Sequence, residues 1–411
     1  MHFVSDTVEC LDLEDFYAVY EGDGRRNRPF DPRMMLKVLV YGYATGVFSS
    51  RKVAKKLEED VAFRLLAAGN MPAHRTIAEF RQRHLKEFQK LFVQVVQLAL
   101  EAGLLKLGTL AIDGSKVRAN ASKHKAMSYG RMRDEEKRIR EEIRELTEKA
   151  AAMDEEEDRL YGPDKRGDEL PQELQRRETR LKKIQEAKQR LEERQAAEDR
   201  KKGRRPGDGR KSLKGGPRFK REFGVPEDKA QDNFTDPESR IMKSSDGYQQ
   251  SYNTQIAVEE HSQLIVGAEV TDCAADNGEL IPLVDQAESV AGELPDRVLA
   301  DTGYRSEAAL VELEKRSVDA YVSLGREGKK AIDPPDESHP ASRRMLEKLS
   351  TEDGKKIYRR RKAIVEPVFG WAKAILGFRQ FSLRGLEKVR GEWNLVSLAL
   401  NLKRMHRLSL A

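Results

Sequence analysis

Apolar residues recur at three- and four-residue spacing through the first 105 residues, in short segments separated by Gly, Pro and polar turns. The pattern predicts an opening helix from Thr7 to Tyr20 and a second helix from Arg33 to Thr45. A longer pattern from Arg75 to Ala102 predicts a further helix with a break near Leu85. We therefore expect an all-helical N-terminal domain over residues 1–105.

Short apolar runs with turn residues between them follow this segment and predict a sheet. The run within residues 106–125 ends in Asp113, and the later run DRVLAD ends in Asp301. Two further runs, Tyr248–Glu260 and Gln263–Cys273, predict a β-hairpin. Helical patterns alternate with these strands, so this part of the chain is predicted to be α/β.

The composition changes sharply between these strands. From Arg131 to Lys201, apolar residues step by three and four along a background of Glu, Lys, Arg and Gln. The pattern predicts a charged helical hairpin folded as an antiparallel coiled coil, with a solvated charged arm as the alternative. Residues 201–225 are Gly-rich and basic, which indicates either a flexible arm that contacts phosphates or a solvated linker. Residues 126–225 are thus interpreted as an insertion, and residues 226–411 as the remainder of the α/β domain.

Charge favours an anionic partner only modestly when the whole chain is counted. The 411 residues include 76 Lys and Arg against 70 Asp and Glu, for a net charge of +6. Basic residues gather on consecutive short helices near the N-terminus, as in a helix-turn-helix DNA reader, although a plain helical bundle is the alternative. The candidate DNA contacts in this region are Arg51, Lys52, Lys55, Lys56, Arg75, Arg81 and Arg83.

The cysteine content and the length of the apolar runs indicate the cellular compartment of the protein. Cys10 and Cys273 give neither a disulfide framework nor the spacing of zinc ligands. No uninterrupted apolar run is long enough to span a bilayer, and the N-terminus has no signal-peptide pattern. We therefore expect a cytoplasmic protein.

The stretch YRRRKAIVEPVFGWAK, from Tyr358 to Lys373, pairs a basic run with one carboxylate, Glu366. Apolar residues beside the glutamate recur at helical spacing, so one face is predicted to be buried. Pro367 follows directly, and proline is tolerated in a first helical turn but is costly deeper in a helix. Glu366 is therefore placed at or near the start of a helix, and a surface glutamate on an ordinary amphipathic helix is the alternative.

Asp113, Asp301 and Glu366 are the candidate catalytic residues. If the two aspartate-bearing strands lie side by side, a helix packed over the sheet can bring the glutamate to both. Crowded carboxylates repel one another unless a cation lies between them, and hard oxygen ligands suit Mg²⁺ or Mn²⁺. Two such ions roughly 4 Å apart activate a water or a 3′-hydroxyl and stabilise the leaving oxygen of a phosphodiester. Arg361 and Lys373 would hold the phosphate backbone near them.

Other acids have simpler interpretations. Asp232 and Asp236 are interpreted as residues that cap turns, with additional metal ligands as the alternative. Asp272 and Asp276 follow the predicted hairpin and are interpreted as caps of the next helix. None of these four is assigned a catalytic role.

Motifs are spread along the chain from about Phe30 to the C-terminus. They are RPFDPRMMLKVLVYGYATGVFSSRKVAKKLEED, AIDGSKVRANAS, NFTDPESRIMK, DGYQQSYNTQIAV, LADTGYRS and RKAIVEPVFGWAK with LRGLEKVRGEWNLVSLALNL. Together they resemble the bacterial insertion-sequence transposases of the DDE class. The resemblance implies an RNase H-like mixed sheet with flanking helices, a helical N-terminal domain and a DNA substrate with terminal inverted repeats. It also implies that Asp113, Asp301 and Glu366 bind the catalytic metals.

The signature around the glutamate in this family is Tyr, two residues, Arg, three residues, Glu, six residues, Lys. Tyr358, Arg361 and Lys373 match it in residue type, and the resemblance implies that they contact DNA. One extra residue separates Arg361 from Glu366, so the first half of the signature is one residue out of step.

These observations predict a metal-dependent DNA transposase that cuts at terminal inverted repeats and joins the freed 3′-hydroxyl to target DNA, with two Mg²⁺ or Mn²⁺ ions as cofactors. Because two DNA ends must be handled together, we expect a homodimer or larger assembly on DNA, associated with the nucleoid. A metal-dependent nuclease without strand transfer is one alternative. A catalytically silent DNA-binding protein derived from a transposase is the other.

Overall fold

The computed structural model describes residues 1–20, 29–161, 172–208, 219–244, 247–325 and 335–410. These residues form two compact units. The first unit contains Met1–Asn120 and Ser239–Ala411, and the second contains Ala121–Glu238.

Among the described residues, the chain begins with helices, and the first strand starts at Thr109. The first helices are α1 (His2–Cys10), α2 (Glu14–Ala18), α3 (Pro32–Ala44), α4 (Ser50–Glu59), α5 (Val61–Leu66), α6 (His74–Arg83) and α7 (Leu85–Glu101). Next come β1 (Thr109–Arg118), β2 (Ala126–Ser128), α8 (Tyr129–Tyr161), α9 (Gln172–Lys201), β3 (Gln231–Asn233), β4 (Arg240–Ser244), β5 (Gly247–Glu259) and β6 (Ile265–Thr271). The last are α10 (Leu280–Ala291), β7 (Arg297–Ala300), α11 (Glu307–Lys315), β8 (Asp319–Val322), α12 (Pro340–Ser350), α13 (Glu352–Gly370) and α14 (Leu386–Leu408).

In the described part of the first unit, six strands form one mixed sheet. Five of them lie in the order β4-β5-β1-β7-β8. β4 and β6 pair with successive parts of the same edge of β5. β5 runs antiparallel to β1, β4 and β6, whereas β7 and β8 run parallel to β1. The predicted hairpin is present as β5 and β6. The predicted α/β class with a helical N-terminal region is confirmed.

The N-terminal helices follow the predicted pattern with one difference. The break expected near Leu85 separates α6 from α7. The opening helix, predicted as one piece, is two helices, α1 and α2. Leu11 and Leu13 between them are both buried, and the N–H of Asp12 donates to Gln94 Oε1 (2.8 Å) instead of continuing the helical ladder.

The core of the first unit lies along α14, which packs against α3, α7 and β6. Most of its residues are buried, and Trp393 is among the largest of them. Glu392 is buried too, and it accepts hydrogen bonds from the N–H groups of Ser382 (2.9 Å) and Leu383 (3.0 Å) and from the hydroxyl of Tyr43 (3.3 Å). A buried carboxylate is tolerated because its oxygens are paired in this way.

Arg81 supplies the positive charge that faces Glu392. Its Nη1 lies 4.0 Å from Oε1 of Glu392 and donates to the hydroxyl of Tyr43 (2.9 Å) and to the carbonyl of Phe48 (3.0 Å). Arg81 is itself buried. The expectation that Arg81 contacts DNA is therefore wrong for this fold, because its guanidinium is a counter-ion inside the core.

Pro367 lies inside α13 and not in its first turn, so the predicted helix start at Glu366 is wrong. The helix begins at Glu352, where the side chain of Thr351 accepts a hydrogen bond from the N–H of Gly354 (3.0 Å). Proline has no N–H for the carbonyl of Ala363, four residues earlier. Gln263 from the β5–β6 turn supplies the missing donor, with Nε2 3.2 Å from that carbonyl. A partner distant in sequence therefore compensates the local penalty.

The second unit is built on α8 and α9, which share an apolar core that includes Met132, Ile139 and Ile184. Tyr129 early in α8 donates to Glu192 late in α9 (2.7 Å), and Arg177 early in α9 donates to Glu142 (2.9 Å). The two helices therefore run antiparallel.

Parts of the predicted insertion lie outside the described residues. They are the expected breaker between the two helices, 162–171, and part of the basic arm, 209–218. The coiled-coil hairpin and the flexible arm stay predictions. Asp232 is not a turn cap but a buried residue of β3, and it accepts hydrogen bonds from Arg190 and Arg194.

Among the described helices, none is long and apolar enough to cross a membrane.

His84, between α6 and α7, has a pKa lowered to about 4, first because it is buried and second because the charge of Arg83 lies nearby. The unfolded chain takes up a proton near pH 6.5, and the folded chain does so only near pH 4. Stability contributed by neutral His84 is therefore complete above pH 6.5 and is lost as the pH falls toward 4.

We predict that the wild type loses up to about 3 kcal/mol more unfolding free energy between pH 7 and pH 4 than His84→Gln does, since glutamine does not titrate. Urea unfolding at a series of pH values measures the difference. His74→Gln, at an exposed histidine, serves as the control and should keep the wild-type pH dependence. An equal pH slope for His84→Gln and the wild type would contradict the prediction.

Candidate catalytic site

The two candidate aspartates lie at equivalent positions on adjacent parallel strands. β1 and β7 pair in register from Thr109 with Arg297 to Ile112 with Ala300. Asp113 and Asp301 are the next residues on each strand, so the backbone brings them side by side near the centre of the sheet. The prediction that these two strands are neighbours is confirmed by the pairing.

Asp113 does not end its strand, contrary to expectation. β1 continues to Arg118 because its other edge stays paired with β5. The parallel neighbour β7 ends at Ala300, so the sheet opens beside Asp113 on that side only. Asp301 starts a short 3₁₀ turn, where its Oδ1 accepts a hydrogen bond from the N–H of Gly303 (2.8 Å).

Burial dominates the electrostatics of Asp113. It raises the pKa of the carboxyl above its ordinary value, and the negative charge of Asp301 adds to the rise. The charge of Arg361 and the N–H of Gly114 oppose it. Arg361 Nη1 lies 2.9 Å from Oδ2 of Asp113, and the Gly114 N–H lies 2.8 Å from Oδ1. A buried acid with a second acid beside it favours a cation in this place.

Basic side chains from α13 and from the turn that follows it reach this part of the sheet. Arg361 is buried, with its guanidinium 5.9 Å from the ring centre of Tyr358. Lys373 lies in a π-helical turn, Trp371–Ile375, and its Nζ donates to Ser115 Oγ (2.6 Å) and to the carbonyl of Lys116 (2.8 Å). All three residues that match the signature in type therefore lie on the helix that covers β1 or in the turn that follows it.

Glu366 is exposed, on a different side of α13. It follows Arg361 by five residues, which is roughly 140° around an α-helix. Within the described ranges, no three His, Cys, Asp or Glu side chains are grouped so that they could hold a metal ion. The structure thus brings Asp113 and Asp301 together and leaves Glu366 outside that pair.

The interpretation of Asp276 as a cap of the next helix is wrong. Its side chain does not cap α10, whose N-cap is Glu279 without a side-chain hydrogen bond. Instead, Oδ1 of Asp276 accepts from Asn253 Nδ2 (2.6 Å), Gln255 Nε2 (2.7 Å) and Lys116 Nζ (3.3 Å). The sequence alone does not predict these hydrogen bonds, because Asp276 is far along the chain from Lys116. The three donors become neighbours only through the pairing of β1 with β5.

A cleft of about 430 Å³ lies against Gly114, the residue after Asp113. Its lining is basic and hydroxylic, with Lys116, Arg118, Lys373 and Arg379 beside Ser115, Ser244 and Ser251. Such a lining suits an anionic, phosphate-bearing ligand.

Four of the seven N-terminal DNA-contact candidates, Arg51, Lys52, Lys55 and Lys56, lie on α4, and Arg75, Arg81 and Arg83 lie on α6. Arg51 and Lys52 are exposed. Lys55 is exposed as well, and its Nζ lies 3.2 Å from Oε1 of Glu59 one turn further on. α4 packs on α5 and α6, and α6 carries Arg75, which is exposed.

Comparison with protein families matches two parts of the chain. Residues 221–402 match the family described as Transposase DDE domain, and residues 1–83 match the family described as Transposase domain (DUF772). No curated protein and no solved structure matches the chain.

The sheet, its paired aspartates and these two matches define a transposase class. The chain belongs to the insertion-sequence DDE transposases. Members of this class act in DNA transposition, and the resemblance seen in the sequence motifs is thereby confirmed.

We predict that Arg361 and Asp113 are energetically coupled, because the buried guanidinium of Arg361 pairs with the partly buried carboxylate of Asp113. Arg361→Gln and Asp113→Asn should each destabilise the protein through the partner left unpaired. The double variant should lose less than the sum, with a coupling free energy of about 1–3 kcal/mol. Urea unfolding in the presence of a chelator measures all four proteins.

Arg360→Gln is the matched control for this cycle. Arg360 is the neighbouring residue, half exposed and paired with Glu260, so its effect should add to that of Asp113→Asn within about 0.5 kcal/mol. Additive effects of Arg361→Gln and Asp113→Asn would contradict the coupling.

Proposed function

We propose that this chain is a metal-dependent DNA transposase that cuts DNA at terminal inverted repeats and transfers the freed strand into target DNA. The observation that carries the proposal is the parallel register that places Asp113 beside Asp301. The family membership supports transposition as the process.

We further infer that the sheet belongs to an RNase H-like catalytic domain. The strand order β6-β5-β1-β7-β8 supports this inference. The first three of these strands pair antiparallel, and the last three pair parallel. The position of the two aspartates on the central parallel pair agrees with it.

The donor chemistry around Asp113 fits a divalent cation. Asp113 is a partly buried carboxylate whose pKa is raised by desolvation, and Asp301 adds a second carboxylate beside it. We propose that Asp113 and Asp301 hold two Mg²⁺ or Mn²⁺ ions, and that Glu366, which lies apart from them in this structure, is the third acid that the family resemblance implies. When bound, such ions supply Lewis-acid activation of the attacking oxygen and stabilisation of the leaving oxygen.

The protein's own residues would bind and orient the DNA. Lys373 and the cleft residues Lys116, Arg118 and Arg379 present positive charge beside Asp113, where the scissile phosphate would lie. Arg361 pairs with Asp113, and its charge opposes the rise that burial causes in the pKa of that carboxyl. The aromatic ring of Tyr358 lies beside the guanidinium of Arg361.

The helical N-terminal region would bind DNA away from the scissile bond. Exposed Arg51, Lys52 and Lys55 on α4 are the proposed contacts with the DNA backbone. Because two element ends are processed together, we propose a homodimer or larger assembly formed on DNA in the nucleoid.

Cleavage of labelled DNA carrying the element's ends, with Mg²⁺ or Mn²⁺, tests the proposal. The wild type should release a 3′-hydroxyl end and then joined products. Asp113→Asn and Asp301→Asn should bind the DNA equally well and lose cleavage by at least about a hundredfold, since the shape is kept and the charge is removed. Asp296→Asn, at the opposite end of β7, is the control and should cleave normally.

Each other outcome of that assay has a definite meaning. Cleavage without joined products would favour a nuclease without strand transfer. Binding without any cleavage by the wild type would favour a silent DNA-binding protein. Glu366→Gln tests the third acid, because normal cleavage by that variant would remove Glu366 from the catalytic set.

A further inference from the structure

The turn that carries Asp301 lies just beyond the paired part of β7. The pairing of β1 with β7 ends at Ile112 and Ala300, and Asp301 is the next residue. The 3₁₀ turn Thr302–Tyr304 follows directly. The ladder between the two strands therefore stops one residue short of Asp301, and a further contact is needed to hold this turn beside Asp113.

Tyr304, the last residue of the turn, makes such a contact. It is fully buried, and its hydroxyl donates a hydrogen bond to Oε1 of Gln255. Gln255 lies on β5, which pairs with the edge of β1 opposite to β7. Neighbouring strands lie about 4.8 Å apart, so the contact spans two strand spacings, roughly 10 Å. It links the turn after β7 to β5 across the intervening strand β1.

Gly114 is the residue of β1 over which this contact passes. It follows Asp113 and is paired with Gln255. A Cβ built on Gly114 would lie 2.6 Å from Nε2 of Gln255 and 3.0 Å from its Oε1. Any larger residue would push the amide out of its place, so glycine is what leaves room for it. Because side chains alternate along a strand, the amide crosses β1 on the face opposite to the side chain of Asp113.

Gln255 is itself held at both ends. Its Nε2 donates to Oδ1 of Asp276 (2.7 Å), and its backbone carbonyl accepts a hydrogen bond from Nε1 of Trp393 (3.3 Å). The whole residue is buried. A buried polar group whose hydrogen bonds are satisfied rigidifies its surroundings, so Gln255 offers the turn a fixed support.

We propose that Gln255 and Tyr304 form a clamp across β1 that positions Asp301 relative to Asp113, with Gly114 providing the space for it. Both clamp residues are fully buried, so they are positioning residues that act through the turn. Misplacement of a reacting group by about 1 Å can cost roughly a hundredfold in rate. The catalytic consequence rests on the proposed function, whereas the clamp itself is a property of the fold.

Hydrogen–deuterium exchange of the full-length protein without DNA tests whether the clamp holds the turn. Tyr304→Phe removes only the hydroxyl that reaches Gln255. The N–H groups of Gly303 and residue 304 donate to Oδ1 (2.8 Å) and to the carbonyl (3.2 Å) of Asp301. With the clamp removed, the turn should open more often and both groups should exchange at least about tenfold faster than in the wild type.

Tyr43→Phe is the matched control for this variant. It also removes the hydroxyl of a fully buried tyrosine, one that contacts Glu392 and Arg81 in the core. It should leave the exchange of residues 301–304 as in the wild type.

Gly114→Ala perturbs the clamp independently, because the added methyl displaces the Gln255 amide. It should speed exchange in the same turn. Gly108→Ala is its control, since the nearest atom to a Cβ at that position, Oδ2 of Asp296, lies 3.9 Å away. Exchange in the turn should be unchanged by that substitution.

Cleavage of labelled DNA carrying the element's ends then tests the catalytic consequence. Tyr304→Phe should lower kcat by at least about tenfold and leave KM within about twofold of the wild type, because the hydroxyl positions Asp301 and is buried away from the DNA. Tyr43→Phe should keep the wild-type kcat, which separates positioning from a general loss of a buried hydrogen bond.

The outcomes separate the clamp from the proposed function. Unchanged exchange in both Tyr304→Phe and Gly114→Ala would overturn the clamp. Faster exchange with a wild-type kcat would overturn the positioning role, because the contact would then serve the fold alone. If the wild type does not cleave, the proposed function fails and the exchange data alone decide whether the clamp holds the turn. If Tyr304→Phe does not fold, the results with Gly114→Ala decide.

Discussion

The parallel pairing of β1 with β7 is the constraint on which the candidate site depends. Because Ile112 is paired with Ala300, the next residue on each strand is an aspartate, and the two cannot be separated without a change of register. A slip of one residue would turn one of them to the other face of the sheet. The register is held in turn by β5, which pairs with the full length of β1, and by β8 on the far side of β7.

Acidic side chains gathered in this way repel one another, and basic side chains pair with two acids of this region. Arg361 comes from α13 to Asp113, and Lys116 on β1 reaches Asp276. A similar solution recurs in the core, where Arg81 faces Glu392. Arg81 and Glu392 also hydrogen-bond to other core residues and stabilise the fold, whereas Lys116 lines a basic cleft next to Gly114, the residue after Asp113.

The local hydrophobic pattern of the sequence was enough to predict several helices and strands and to select the pair of aspartates. Helical periodicity located α3 and the break before Leu85, and apolar runs located the strands that carry Asp113 and Asp301. The α/β class followed from their alternation. The family resemblance rested on motifs in the same segments.

The predictions that were wrong concern contacts between residues far apart in sequence. Pro367 looked like a helix start because nothing local reveals that Gln263 caps the freed carbonyl of Ala363. Arg81 looked like a surface residue because its partner, Glu392, lies on the last helix. Asp276 was dismissed as a helix cap for the same reason, since its donors lie on β1 and β5.

The central claim is that the in-register aspartates hold a divalent cation. Iron-mediated cleavage of the polypeptide tests it most directly: Fe²⁺ replaces the native ion, and ascorbate with peroxide generates radicals that cut the backbone beside it. The account predicts cuts in β1 around Asp113 and after β7 around Asp301, both abolished in Asp113→Asn. Cuts confined to other segments, or a pattern unchanged by Asp113→Asn, would contradict it.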